Sequence, residues 1–367
     1  MNPVGTREVT LFVPGLLGPG SVPAEAITEG LAVPALETVF SRGDPSPSVK
    51  PWIGHALEGW LCQLVDLPPP QGQDWPIAAL TYALDVKARA NGWYLRADPV
   101  HLKADLDRLV LFDADVLSLS ATEARALVDE INAHYQGQGW CLEAPHPRRW
   151  YLRLPQAPRL LTQTLSVAAG AREISGLLPQ GEEAQHWRRR LNEIQMLLHA
   201  SPLNEARQAR GELPINSVWF WGCGGLPPAS TVPWQQMWSQ DSLSEALARH
   251  LGIGHRPRPE TAIQWLDEAA PVHHLVVLEQ GDALCRRVDI EGWRVYLDTL
   301  HRDWLQPLVE ALRQRRLHRL TLLTESGGGV SVRSSQLRRW WRRRRPLRYF
   351  MAAKERRYEA ADYSSRP

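Results

Sequence analysis

The stretch from Ile215 to Pro228, INSVWFWGCGGLPP, runs a set of bulky residues straight into Gly222-Cys223-Gly224-Gly225. A buried strand that empties into glycines is one way to cradle phosphate, because backbone N–H groups can approach an anion where no side chain intervenes. Asn216, Gly222, Gly224 and Gly225 are therefore candidate ligand-binding residues, with an ordinary tight turn as the alternative. The second reactive-looking stretch is LRRWWRRRRPLR, which carries seven arginines in the eleven residues from Arg338 to Arg348 and no acid. Arg338, Arg339, Arg342, Arg343, Arg344 and Arg345 can neutralise phosphates, and Trp340 and Trp341 can stack on unpaired bases. That composition suits single-stranded nucleic acid. It equally suits anionic lipid, an acidic partner protein or an acidic surface of this same chain. The pair His273-His274 begins an apolar strand, where adjacent residues point to opposite faces and cannot share one ion. The cysteines show no metal-ligand spacing either, so no metal site is expected from spacing alone.

These groups sit in a chain of 367 residues, with room for a large core and two lobes. Its 44% hydrophobic and 22% charged residues describe an ordinary globular protein. The net charge of +2 conceals an asymmetry: 12 basic residues face 3 acidic ones from Arg333 onward, against 30 and 37 in the rest. A mildly acidic body thus carries a basic C-terminal appendage. No apolar run is long enough to span a bilayer, and the first residues lack a basic region followed by an apolar one. Cys62, Cys141, Cys223 and Cys285 are far apart, as expected of reduced thiols in a cytoplasmic protein.

The elements that must position these groups follow from periodicity. A strand is expected at Val9–Val13, and an apolar helical stripe runs through Ala56, Leu57, Trp60, Leu61 and Leu64. Residues 93–154 read as an α+β unit: strand, candidate strand, a helix opened by a Ser120/Glu123 capping box, then strand, turn, strand. After a helix near Glu182–Leu198 the pattern becomes strand, glycine loop, helix, strand. Short apolar strands alternating with amphipathic helices predict an α/β core, a mostly parallel sheet flanked by helices, with the α+β unit inserted into it. The expected boundaries are 1–90 and 201–335 for the core, 91–200 for the insertion and 336–367 for the basic tail.

Three stretches, taken in order, resemble the archaeal-type cofactor-independent phosphoglycerate mutases of the alkaline-phosphatase-like superfamily. They are YLRADPVHL with TEARALVDEIN and RRWYLRL; SPLNEARQARGELPINSVWFWGCGG; and WLQPLVEALRQRRLHRLTLLTES. The resemblance implies that superfamily's core, an inserted domain and a metal-dependent site, yet the site's residues are mostly missing. Val13 and Pro14 stand where the first metal-binding Asp is expected. GQDWPIAAL keeps Asp74 in the nucleophile region but has neither serine nor histidine. HHLVVLEQGDALCRRVDIEGW offers Glu279, Asp282 and Asp289 without the following Gly-His, and Glu325 and Ser326 replace a closing Asp-His pair.

Two-metal phosphoryl transfer needs several Asp and His ligands around ions about 4 Å apart, and a hydroxyl nucleophile activated by one of them. With most of these absent, the expectation is a catalytically inactive protein with a binding or scaffolding role. The alternative is a diverged phosphotransferase using Mn or Mg with Asp74, Asp282, Asp298 and Glu325. A nucleic-acid-associated protein acting through its tail is a third reading. The resemblance also places Arg96, Arg149 and Arg153 where substrate-facing groups belong, and arginine's planar fork suits a small phosphorylated acid. Solvated strand-edge arginines are the plainer alternative. Asp98 and His101 would orient Arg96 or cap a turn.

Overall fold

The structure is a computed structural model that describes residues 6–46, 56–67, 73–105, 108–171, 173–325 and 327–352. In chain order its strands are β1 (Glu8–Phe12), β2 (Asp44–Pro45), β3 (Trp93–Asp105), β4 (Arg108–Phe112), β5 (Leu142–His146) and β6 (Arg149–Leu154). They continue with β7 (Ser217–Gly225), β8 (Gln236–Ser239), β9 (Gly254–Pro257), β10 (His273–Val277), β11 (Arg319–Leu323) and β12 (Gly329–Arg333). The chain divides into two compact units, residues 1–65 with 231–367, and residues 66–230.

The first unit holds a seven-stranded sheet in the order β2-β12-β11-β1-β10-β8-β9. The five strands from β11 to β9 run parallel, while β12 and β2 add on antiparallel at one edge. β1 lies at the centre with all five residues buried, Glu8 and Thr10 included, because strands pair with it on both sides. Trp265, Trp293, Trp304, Leu308 and Leu312 from the flanking helices pack into its core. Local signals set the helix ends: Asp241 caps Ser242–Leu251 by accepting from Ser244 N at 2.7 Å, and Gly252 closes it at φ 69°. The mostly parallel α/β core expected from the sequence is present.

Part of the basic tail belongs to this unit. Leu337, Leu347 and Met351 are buried in its core, and Phe350 stacks on Phe40 at 5.0 Å. Arg339 and Arg342 both pair with Asp44, and Leu347 N donates to Glu37 Oε1 at 3.2 Å. An acidic surface of the chain itself therefore takes up some of these arginines. The tail beyond Ala352 lies outside the described residues.

In the second unit the long strand β3 organises an antiparallel sheet, β4-β3-β6-β5, with β7 also paired to β3 from Trp93 through Val100. Helices Ala121–His134 and Ala184–His199 cover one face, burying Leu127, Ile131 and Ile194 against Leu95, Trp150 and Phe220. The Ser120/Glu123 capping box forms as its sequence predicts. Helix Ile77–Asp85 lies on the other face, with Ala78 and Ala79 against Tyr94 and Tyr151.

This unit is wider than the 91–200 insertion read from periodicity, at both ends. β7 does not return the chain to the parallel core; it donates its ladder to β3 within the second unit. The candidate strand of that unit, VLFDADVLSL at residues 110–119, splits: β4 ends at Phe112 and a short helix follows at Ala114–Leu117.

Candidate functional site

Ligands of open α/β sheets bind beyond the carboxyl ends of the strands. In the first unit that edge is formed by the segments following β1, β10 and β11. Gly15, with φ +77°, follows β1; an added Cβ would lie 2.4 Å from the Gly281 carbonyl carbon, so the two loops can close only through glycine. Gly15 O accepts from Trp293 Nε1 at 2.8 Å and from Cys285 Sγ at 3.4 Å, while Gly15 N donates to Glu325 Oε2 at 3.0 Å. A cleft of about 930 Å³ opens here, lined by Gly15, Ser21, Trp60, Asp282, Arg286 and Glu325, among others.

Two of the four carboxylates expected in a working site therefore share one cleft. Asp282 is 3% exposed. Its Oδ2 lies 2.6 Å from Arg286 Nη2, a charge contact not aligned as a hydrogen bond. Burial pushes the Asp282 carboxyl up to about 6; Arg286 opposes the rise, and the acids Glu58 and Glu325 add to it. Glu279, half-buried nearby in sequence, is raised chiefly by burial and lies 3.9 Å from Arg258. Asp289 caps helix Ile290–Leu300 through Gly292 N. Ser326 lies outside the described residues. The sequence reading missed Arg286 and Ser21. Arg286 was legible as the i+4 partner of Asp282 on helix Gln280–Arg286.

The other two carboxylates lie one in each unit. Asp298 is exposed on helix Ile290–Leu300 and does not line the cleft. Asp74 belongs to the second unit, where Thr162 N donates to it at 2.9 Å and the Thr162 hydroxyl and Cys223 N also contribute. Burial raises its carboxyl against those donors. Among the described residues no group of three or more His, Cys, Asp or Glu side chains is placed to hold a metal ion. Among the described residues the donors present do not fit a two-metal Mn or Mg centre.

Most of the expected ligand-binding residues are engaged by other groups of the second unit. Arg96 and Asp98, two apart on β3, project from the same face and are both buried. Arg96 Nε and Nη2 donate to Asp98 at 2.8 and 2.7 Å, and Trp221 Nε1 adds 2.7 Å. The Arg96 guanidinium also lies over the rings of Tyr151 and Trp221, at 5.2 and 4.9 Å. Such a filled coordination leaves no fork for a phosphorylated ligand. Arg149 pairs with Asp85 at 2.8 and 2.5 Å, and Tyr151 OH reaches the same carboxylate. Burial opposes ionisation of Asp85, but these donors leave its carboxyl below the ordinary value. His101 Nδ1 meets Pro214 O at 2.9 Å, and Asn216 bonds both the N–H and C=O of Leu102. Arg153 alone of the three arginines is exposed.

The glycine run is not a phosphate loop. Gly224 and Gly225 are ladder residues opposite Tyr94 and Trp93. A Cβ on Gly224 would fall 2.4 Å from Pro76 Cβ and 2.5 Å from its Cα, so the glycine lets β7 press against the start of helix Ile77–Asp85.

No protein-family model and no curated protein matches this chain. Solved structures do. The PH0037 protein from Pyrococcus horikoshii is similar over 89% of this chain and 87% of its own, at 14% identity and a TM-score of 0.50. What the two share is a fold. The similar structures also include the cofactor-independent phosphoglycerate mutase from Thermoplasma acidophilum DSM 1728, at 15% identity over 88% of each chain and a TM-score of 0.41. No helix among the described residues is long and apolar enough to cross a membrane.

Proposed function

We propose that this chain is a phosphoglycerate-mutase-like protein that binds a small phosphorylated acid at the carboxyl edge of its parallel sheet and does not turn it over. The observation that carries this reading is the engagement of the cleft's two carboxylates. Glu325 accepts from the backbone of the loop after β1, and Asp282 faces Arg286. Two-metal transfer would instead need several free Asp and His ligands converging on the ions. Val13 and Pro14 supply none, and the Asp74 carboxylate is engaged by Thr162. Arg286 gives the cleft a cation for an anionic ligand.

Elemental analysis of protein produced and purified in Mn²⁺ tests the loss of the centre: the expected result is no stoichiometric metal, and a stoichiometric content would contradict it. Thermal melting with 3-phosphoglycerate tests the binding role, since a ligand that binds only the folded state raises Tm. The rise should vanish in Arg286→Ala.

One observation favours a second reading, a diverged phosphotransferase. Asp282, held near 6 in a cleft beside Glu325, has the proton affinity of a general acid or base. That reading requires turnover lost in Asp282→Asn.

A further inference from the structure

A second cleft, of about 880 Å³, lies at the opposite edge of the first unit's sheet, where β1, β10 and β11 begin and β12 ends. Its walls carry Arg7, Arg315, Arg316, Arg333, Arg338 and His318 against a single acid, Asp267. Arg316 partly occupies that acid at 3.4 Å. Arg7 is anchored to the carbonyls of Leu266 and Ala269 at 2.7 and 2.5 Å, and its buried Nε has no hydrogen-bond partner. Arg315 sits at φ +60°, just past helix Gln306–Arg313, where glycine is the favoured residue. A cationic side chain is thus placed at the rim against the backbone's preference.

The cleft continues into the tail. Arg338 ends the short turn Gln336–Arg338, and its carbonyl accepts from Trp340 N at 2.8 Å. Trp340 and Trp341 stand 79% and 64% exposed, with ring centroids 6.1 Å apart and planes at 85°. Large aromatic side chains this exposed have no packing role in the unit itself; their neighbours Arg339 and Arg342 pair with Asp44, while Arg338 lines the cleft. Arg343 and Arg348 extend the exposed positive surface beyond them.

We propose that the arginine-lined cleft and the Trp340–Trp341 pair form one binding track for single-stranded nucleic acid, phosphates following the arginines and bases stacking on the indoles. Charge complementarity favours a polyanion, and two exposed indoles beside it favour unpaired bases over a duplex whose bases are already stacked. The track is independent of the mutase-like reading, since its cleft lies at the opposite end of the same strands.

Fluorescence anisotropy of a labelled oligothymidylate with the full chain tests it, read together with quenching of tryptophan emission. Binding should weaken steeply with added salt. The double variant Trp340→Ala/Trp341→Ala should bind at least about tenfold more weakly and lose the quenching, since stacking contributes about 1–3 kcal/mol per base. Arg333→Glu/Arg338→Glu should lower affinity and flatten the salt slope by about two. Both variants alter exposed positions and should keep the wild-type melting curve. The proposal fails if the oligonucleotide does not bind at low salt, or if both variants bind it as the wild type does. It also fails if a mononucleotide displaces it as well as an unlabelled oligonucleotide does, or if only phosphatidylserine vesicles bind.

Discussion

Gly15 N donates to Glu325 Oε2 at 3.0 Å, tying the loop after the central strand to the end of its neighbour through a carboxylate. From the sequence, Glu325 is expected to stand with other carboxylates at a metal site. Here the edge is closed by a hydrogen bond to backbone, so Glu325 acts first on the loop's position. Glu325→Ala should destabilise the protein by about 1–3 kcal/mol by stranding a buried N–H. Glu325→Gln, which keeps an acceptor, should lose less. Urea denaturation measures both.

Arg96 and Asp98 form a buried pair with hydrogen bonds from Trp221 and Trp150 completing the carboxylate's shell. Asp98→Ala should cost about 3–5 kcal/mol, because it leaves a buried guanidinium uncompensated. A double replacement, Arg96→Met with Asp98→Leu, should cost less than the single change. Equal losses in the two variants would show that the charge pairing is not what Asp98 contributes.

Gly224→Ala should destabilise by about 1–3 kcal/mol, since the new methyl meets the Pro76 ring and backbone. If the glycines served only to bind an anion, the same substitution would leave stability unchanged and lower affinity instead.

The raised Asp282 carboxyl has a signed consequence for pH. Its folded value, about 6, lies above the ordinary 3.8 of an aspartate, so between these limits the folded state binds more protons. Its contribution to stability is full below the unfolded value and is lost as pH rises through about 6. His274, lowered to about 4 from 6.5 chiefly by burial, contributes with the opposite slope over an overlapping window. The comparison that isolates Asp282 is therefore wild type against Asp282→Asn, melted from pH 4 to pH 7. The variant should gain stability relative to wild type as pH rises, and a constant difference would contradict the shift.

Much of the fold was readable because its signals are local. Strand β1 announces itself by an apolar run, and the Ser120/Glu123 box by two residues three apart. The pairing of β7 was not readable, because a strand's own sequence does not say which sheet will accept its ladder. Its glycines misled for the same reason: they answer to Pro76, distant in sequence, and not to a ligand. The tail's contacts with Asp44 and Glu37 are equally non-local. Arg96 was half legible, as a ligand-facing group that Asp98 would orient; only the orienting contact forms. Asp98 lies two residues on, hence on the same face of a strand, and that spacing alone pointed to an internal pair.

A carboxyl-edge cleft that binds without catalysing phosphoryl transfer shows no turnover. Purified protein, with 3-phosphoglycerate and Mn²⁺, is assayed for formation of 2-phosphoglycerate. No product above the protein-free control is the predicted result. Product formation that is abolished by Asp282→Asn would contradict it and establish the cleft as an active site.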